Sequence, residues 1–420
     1  MLEKIKKISP KKLFFLVAIV YLLSSLVQVS LTAENKVSGI FIGMPRIYTG
    51  DEPGYLLSVF SLVNDSDLHM SNNIQNAQNG GCDQGATYAG KKIGLDLALN
   101  PLQGFEDYPR RPVGLPVTAA VFLMPFKNTC LLETFSVWLS LLSVVFGLMF
   151  FYFLAKRFFP KHAVFFTLAL AFATPLWHYS RTFWTEPWTF LLLTASLYFL
   201  LAKENHFLSA LTVCFATLFN YALFIPLGVF SLKIIWDKKG SSAIAFFVPV
   251  VFTVLLAVIF NLRIFGSFLD PRMTGAPAGN FVLGLFSIFF QPNSGILFSF
   301  PAFLFFLFAF GVSKNKKQLL FPFFLVISFI LFYANVEWVL YGTGGWGFRY
   351  IAPFFSPIFL VIGEWFEKQK GATSKNIFLL VIFISFLISA QAAFLAPLLV
   401  NNPPWFLIQY LLSNFASRVI

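Results

Sequence analysis

Charge is scarce in this sequence. Only 11% of its 420 residues are Asp, Glu, Lys or Arg, against roughly a quarter in ordinary soluble proteins. A chain so poor in charge cannot clothe a water-facing surface, which excludes a soluble globule. Its 58% apolar content excludes disorder. Cysteine is nearly absent: Cys82, Cys130 and Cys214 are the only three, too few for a disulfide scaffold and without metal-ligand spacing. Cys82 and Cys130 fall on one side of the membrane in the topology drawn below. A bridge between them and two separate thiols both remain open. No phosphate-binding glycine loop, zinc motif, nucleotide fold or Ser/His/Asp set occurs.

What fills the chain is apolar and aromatic, with Phe alone at 58 positions. The apolar stretches are unbroken over about twenty residues, not the alternating ten-residue segments of an outer-membrane barrel. They predict an all-α polytopic membrane protein. After a basic segment, 1–12, a first uncleaved helix is expected at 13–31. Further runs lie near 131–154, 161–179, 186–202, 207–219, 221–236, 242–262, 295–313, 319–336, 350–366 and 376–396, giving about eleven spans. The pair 207–219 and 221–236 is short. It is either one helix broken near Asn220 or two short helices that turn inside the protein.

Lysine distribution favours two crossings there. With the N-terminus cytoplasmic, the lysine clusters at 4–12, 156–161, 233–239, 314–317 and 368–375 all face inward. One crossing fewer would turn the last two outward. A net charge of +12 therefore reads as membrane topology and not as a nucleic-acid surface. The map leaves a large outer loop at 32–130 that carries most of the outward-facing acidic residues, a helical bundle over 131–396, and an outer tail at 397–420. Among the arginines only Arg157 faces inward. Arg46, Arg110, Arg111, Arg181, Arg263, Arg272, Arg349 and Arg418 map outside. Arginine's planar fork suits phosphate, so the bias hints at a phosphate-bearing ligand on the outer face, beside ordinary interface anchoring.

Several outer segments carry candidate chemistry. Thr49-Gly50-Asp51-Glu52-Pro53-Gly54-Tyr55 precedes a short apolar stretch. Asp51 there is either a general base at the water–lipid boundary or a helix cap before proline. Asp65 and Asp67 form an Asp-x-Asp string, a weak divalent-metal candidate or a simple turn. Arg110 and Arg111 precede 113–126, a proline-rich segment expected at the interface, where they bind a substrate phosphate or anchor on anionic lipid. Arg181 and Glu186 occupy a tight outer turn and either pair with each other or serve a ligand. Arg263 ends one span. Before Arg349, four glycines surround Trp346, a combination that permits close backbone approach and offers a flat face to a sugar or lipid.

Taken together, these pieces resemble integral-membrane glycosyltransferases of the GT-C fold, in the branch of protein mannosyltransferases and aminoarabinose transferases. The resemblance runs from 13 to about 366. It is carried by Gly50-Asp51-Glu52-Pro53-Gly54-Tyr55, Asp65-Ser66-Asp67-Leu68, Pro112-Val113-Gly114-Leu115-Pro116, Tyr179-Ser180-Arg181 with Glu186-Pro187, Asn261 with Phe265-Gly266-Ser267, Asn293-Ser294-Gly295 and Gly344-Gly345-Trp346-Gly347-Phe348-Arg349-Tyr350. Relatives often carry a His-Pro-Pro-Gly string where this chain has Arg111-Pro112-Val113-Gly114, so no histidine role transfers.

The resemblance implies an inverting transfer of a sugar from a polyprenyl phosphate to a lipid, glycan or protein acceptor at the outer face of a bacterial inner membrane. It implies Asp51 as base with Glu52 in support. It also implies Arg349, then Arg181 or Arg263, with Arg110 and Arg111, as phosphate ligands. Tyr55, Glu186 and Trp346 become substrate contacts, and no cofactor is expected. Two other classes compete. A lipid-linked-glycan flippase would place ionisable groups in mid-span, and a non-catalytic assembly factor would tolerate loss of Asp51.

Overall fold

A computed structural model describes residues 9–31, 37–45, 51–78, 112–237, 240–267, 278–292, 294–313, 316–337, 339 and 348–399. The helices are α1 (Pro10–Leu26), α2 (Glu52–Phe60), α3 (Ser71–Gln78), α4 (Gly114–Leu123), α5 (Leu131–Phe158), α6 (Ala163–Phe172), α7 (Glu186–Leu201), α8 (His206–Phe219), α9 (Phe224–Trp236), α10 (Gly240–Phe265), α11 (Phe281–Phe290), α12 (Leu304–Val312), α13 (Lys316–Tyr333), α14 (Phe355–Lys368) and α15 (Ala372–Leu399). Strands β1 (Val27–Leu31) and β2 (Val37–Ile42) form an antiparallel hairpin between α1 and α2.

The first span differs from expectation. Ser9 caps α1, its hydroxyl accepting from Lys12 N, and Pro10 takes the first helical turn. The helix stops at Leu26, not Leu31. Val27-Gln28-Val29-Ser30-Leu31 alternates apolar and polar residues, a two-residue period that suits a strand. Among the described residues the regular structure is therefore helical apart from this hairpin and an isolated antiparallel bridge between Ala278 and Val336.

Among the described residues four helices are long and apolar enough to cross a membrane: Leu131–Phe158, Gly240–Arg263, Lys316–Tyr333 and Ala372–Phe394. They make this an integral membrane protein. Other expected spans are shorter or broken, and prolines account for several of the breaks. The run 161–179 divides at Pro175 into α6 and a turn at Leu176–Tyr179. The run 295–313 divides at Pro301, because the residue before a proline disfavours the α conformation. The 207–236 region is two helices, and Asn220 sits at the break with its Oδ1 accepting from Ala222 N at 3.0 Å.

The core is layered around α5, α7 and α14. Gly147 on α5 lets Phe190 of α7 approach to a distance that a Cβ would forbid. Thr194 on α7 and Ser356 on α14 share a buried hydroxyl bond of 2.6 Å. Ser196 ties α7 to α8 through Ser209 O at 2.8 Å. At one end of α1, the Tyr21 hydroxyl donates to Ala171 O at 2.5 Å, and Trp177 Nε1 donates to Ser24 Oγ at 3.1 Å. By contrast α10 presents Ile244, Val248, Val251, Phe252, Leu255 and Ile259 outward, the pattern of a lipid-facing helix.

Candidate active site

The site is assembled from four segments distant in sequence. Asp51 and Glu52 open α2, where Pro53 favours a helix start. Asp51 stands at the cap position, yet its side chain makes no capping bond. Its Oδ2 instead accepts from the Arg349 guanidinium at 2.9 Å. Glu52, only 1% exposed, turns the other way: its Oε1 accepts from Phe183 N at 2.7 Å. Glu52 thus fixes α2 against the turn that carries Trp184 and leads into Glu186, the first residue of α7.

Arg349 is the centre of the cluster. It opens a 3₁₀ turn at Arg349–Phe354. The guanidinium also donates to the Tyr350 hydroxyl at 3.0 Å and holds its Nε 3.6 Å from Glu186 Oε1. Its carbon lies 4.8 Å from the centre of the Trp184 ring and 4.9 Å from that of Tyr350, so the cation rests on aromatic faces. Tyr350 in turn stacks on Tyr333, rings 4.5 Å apart at 13°. Arg349 precedes the run expected to span at 350–366. Burial opposes its charge, but the Tyr350 hydroxyl, Asp51 and Glu186 outweigh that penalty and hold its pKa above the ordinary arginine value.

These residues enclose a cavity of about 130 Å³, lined also by Tyr55, Pro112, Thr185, Phe219 and Asn220. Its volume suits a phosphate or a single sugar ring. A second, apolar groove of about 840 Å³ runs between α4, α8 and α10, past Val117, Val121, Phe215, Ala257 and Arg263. The two spaces adjoin. Pro112 and Phe219 line the polar cavity, while their chain neighbours Val113 and Leu218 line the groove. Gly114 brings the start of α4 onto the end of α8 here: a Cβ on it would stand 2.4 Å from Leu218 O.

The expected site residues divide accordingly. Asp51, Tyr55, Glu186 and Arg349 meet at the polar cavity. Arg263 lines the groove, exposed at the end of α10. Arg181 does not line either space; it is buried and donates to Val27 O at 2.6 Å, pinning the hairpin. Asp65 Oδ2 accepts from Asn72 and Asn73, and Asp67 Oδ1 from Ser61 and His69 N, the pattern of a closed turn. Among the described residues no group of three or more His, Cys, Asp or Glu is placed to hold a metal ion. Arg110, Arg111 and Trp346 lie outside the described residues, as does the tail after 399.

Sequence reasoning missed Trp184, Tyr333 and Tyr350 as cavity walls. Tyr350 stood in the quoted string that ends Arg349-Tyr350 without being given a role, and Trp184 lies two positions before Glu186. Tyr333 ends an apolar helix and gave no signal.

No family model matches the chain, and no curated protein matches it significantly in sequence. Two solved structures do. The chain is similar in fold to ArnT. ArnT from Cupriavidus metallidurans bound to undecaprenyl phosphate superposes with a TM-score of 0.58 at 16% identity, over 90% of this chain and 63% of that one. The same ArnT in its apo state gives 0.54 at 15% identity, over 93% and 72%. This chain thus spans 63% of the length of the lipid-bound ArnT chain. The likeness to ArnT supports the GT-C architecture read from the motifs.

Proposed function

We propose that the chain is a membrane glycosyltransferase that moves a sugar from a polyprenyl-phosphate donor to a hydroxyl of a lipid, glycan or protein acceptor. The observation that carries this reading is that a small charged cavity and a large apolar groove are lined by adjacent chain positions, Pro112 beside Val113 and Phe219 beside Leu218. A ligand that fills both is an amphiphile with a compact polar head and a long apolar chain. ArnT crystallised with undecaprenyl phosphate supports a lipid phosphate as that head group.

Asp51 is the general base. It takes the proton of the acceptor hydroxyl while that oxygen bonds to the anomeric carbon from the face opposite the phosphate. The carbon–oxygen bond to phosphate breaks, and its electron pair leaves on the lipid phosphate. Arg349 neutralises that anion. The displacement inverts the anomeric centre. Arg263, at the groove, is a second phosphate contact, and Glu186 orients Arg349. The lysine map favours an outward-facing site, and the family resemblance implies a bacterial inner membrane.

The test is transfer from radiolabelled polyprenyl-phosphate sugars in membranes, comparing wild type with Asp51→Asn at equal protein level. Transfer by wild type and a loss of about 10²–10⁴-fold in the variant is expected. Equal rates in both would remove Asp51 from the mechanism. Absence of transfer from every donor, with lipid movement across the bilayer instead, would favour a flippase.

A further inference from the structure

The base and the phosphate ligand of this reaction are already bonded to each other. Among the described residues lining the cavity, the charged groups are Asp51, Glu186 and Arg349, two carboxylates to one guanidinium. An anion arriving from the groove finds its positive charge occupied.

We propose that the donor phosphate and Asp51 compete for Arg349, so that donor binding itself draws the guanidinium off Asp51 Oδ2 and readies that oxygen to accept a proton. This deepens the glycosyltransferase reading and rests on it. The geometry gives Arg349 a held end and an exchangeable end. What holds the first is ring contact: its plane lies against Trp184 and Tyr350, while its Nε stands 3.6 Å from Glu186 Oε1 without a hydrogen bond. The NH2 nitrogen is the one that reaches Asp51 and the Tyr350 hydroxyl. A small swing about the held end transfers that nitrogen from carboxylate to phosphate. Asp51 accepts from Arg349 through one oxygen only, whereas a phosphate reached by the swung fork accepts through two. Once Arg349 has moved, Asp51 faces a fresh negative charge in place of a positive one, and its affinity for a proton rises. Glu186 and Trp184 are positioning residues: they keep the cation in the cavity while it changes partner. The donor therefore binds before the acceptor can be deprotonated.

Equilibrium binding of farnesyl phosphate to the full chain in detergent tests this. Asp51→Asn removes the competitor and should bind about tenfold tighter than wild type, a shift of roughly 1.4 kcal/mol. Arg349→Gln should bind at least about tenfold more weakly. The decisive comparison is Asp51→Asn combined with Arg349→Gln, which should be as weak as Arg349→Gln alone. A gain that survives in the double variant would be mere relief of charge repulsion and would overturn the exchange. Unchanged or weaker binding by Asp51→Asn would also overturn it, while leaving the donor site intact. Farnesol, which lacks the phosphate, should bind wild type and Asp51→Asn alike; a gain with farnesol would move the effect to the groove and defeat the proposal. Should Asp51→Asn not give a monodisperse protein, Asp51→Ser provides the same comparison. If farnesyl phosphate binds none of the proteins, the donor-site reading itself fails, and the exchange with it.

Discussion

Arg349 and Asp51 stand 298 positions apart in the chain and 2.9 Å apart in the fold. The pair joins the first outer segment to the turn before α14. It is largely buried, so breaking it leaves charge without compensation. Arg349→Gln is expected to destabilise the protein by about 3–5 kcal/mol. The double variant with Asp51→Asn should lose less than the two single losses combined, with a coupling above about 0.5 kcal/mol. Unfolding in detergent measures both; strictly additive losses would mean the two side chains do not interact.

Glu52 adjoins the proposed base but does a different job. Its carboxylate accepts from Phe183 N inside the protein. Glu52→Leu, which leaves Phe183 N without this acceptor, should cost about 1–3 kcal/mol of stability and lower transfer far less than Asp51→Asn does. The check is transfer rate per folded molecule. A loss as deep as that of Asp51→Asn would return Glu52 to the chemistry.

The groove predicts a dependence on chain length. Val117→Trp places a large side chain in the apolar space beside Phe215 and Ala257. KM for an undecaprenyl-phosphate sugar should rise about tenfold, corresponding to roughly 1.4 kcal/mol. A donor carrying a chain too short to reach residue 117 should be unaffected. Equal effects on both donors would count against the groove as the chain's seat.

Gly114 tests the junction between groove and cavity. Gly114→Ala drives a Cβ into Leu218 O and should cost about 1–3 kcal/mol, with some loss of activity because Phe219 and Asn220 move with α8. Gly228, whose added Cβ would meet nothing within 4 Å, is the control: Gly228→Ala should leave the melting temperature within about a degree or raise it slightly.

Cysteine accessibility gives a further test. Cys130 is disulfide-bonded, and Cys214 is a buried free thiol. Within one chain Cys82 is the remaining cysteine. Mass labelling with a thiol reagent should leave Cys130 unmodified until reductant is added, and Cys82→Ser should make it reactive at once. Labelling of Cys130 in the untreated wild type would contradict the bridge.

Much of the helical scaffold was legible because its signal is local. Long apolar runs, Pro53 at a helix start and Asn220 at a break all act on their own neighbourhoods. The end of α1 was legible too, in the alternation from Val27 to Leu31, but apolar content masked it. The site was readable only as a list of charges. Two carboxylates and several outer arginines stood out, yet nothing in the string says that Arg349 reaches Asp51 while Arg181 is drawn to Val27 O. Partner choice is a long-range geometric fact. Glu52 shows the same limit, since two adjacent acids face opposite ways according to which neighbour offers a donor. Tyr333 was invisible because an aromatic residue at the end of an apolar helix has no local mark of being a cavity wall.

The separation of Arg349 from its partners also has a history in time. Asp51 and Glu186 leave the ribosome well before residue 349 exists. At about 5–20 residues per second the interval after Glu186 is on the order of ten seconds. Throughout it, the nascent chain holds two acidic side chains near hydrocarbon without the cation that later neutralises them, an expensive state in a bilayer. A chain halted ahead of residue 349 would therefore lack the cation that balances Asp51 and Glu186 in the finished fold.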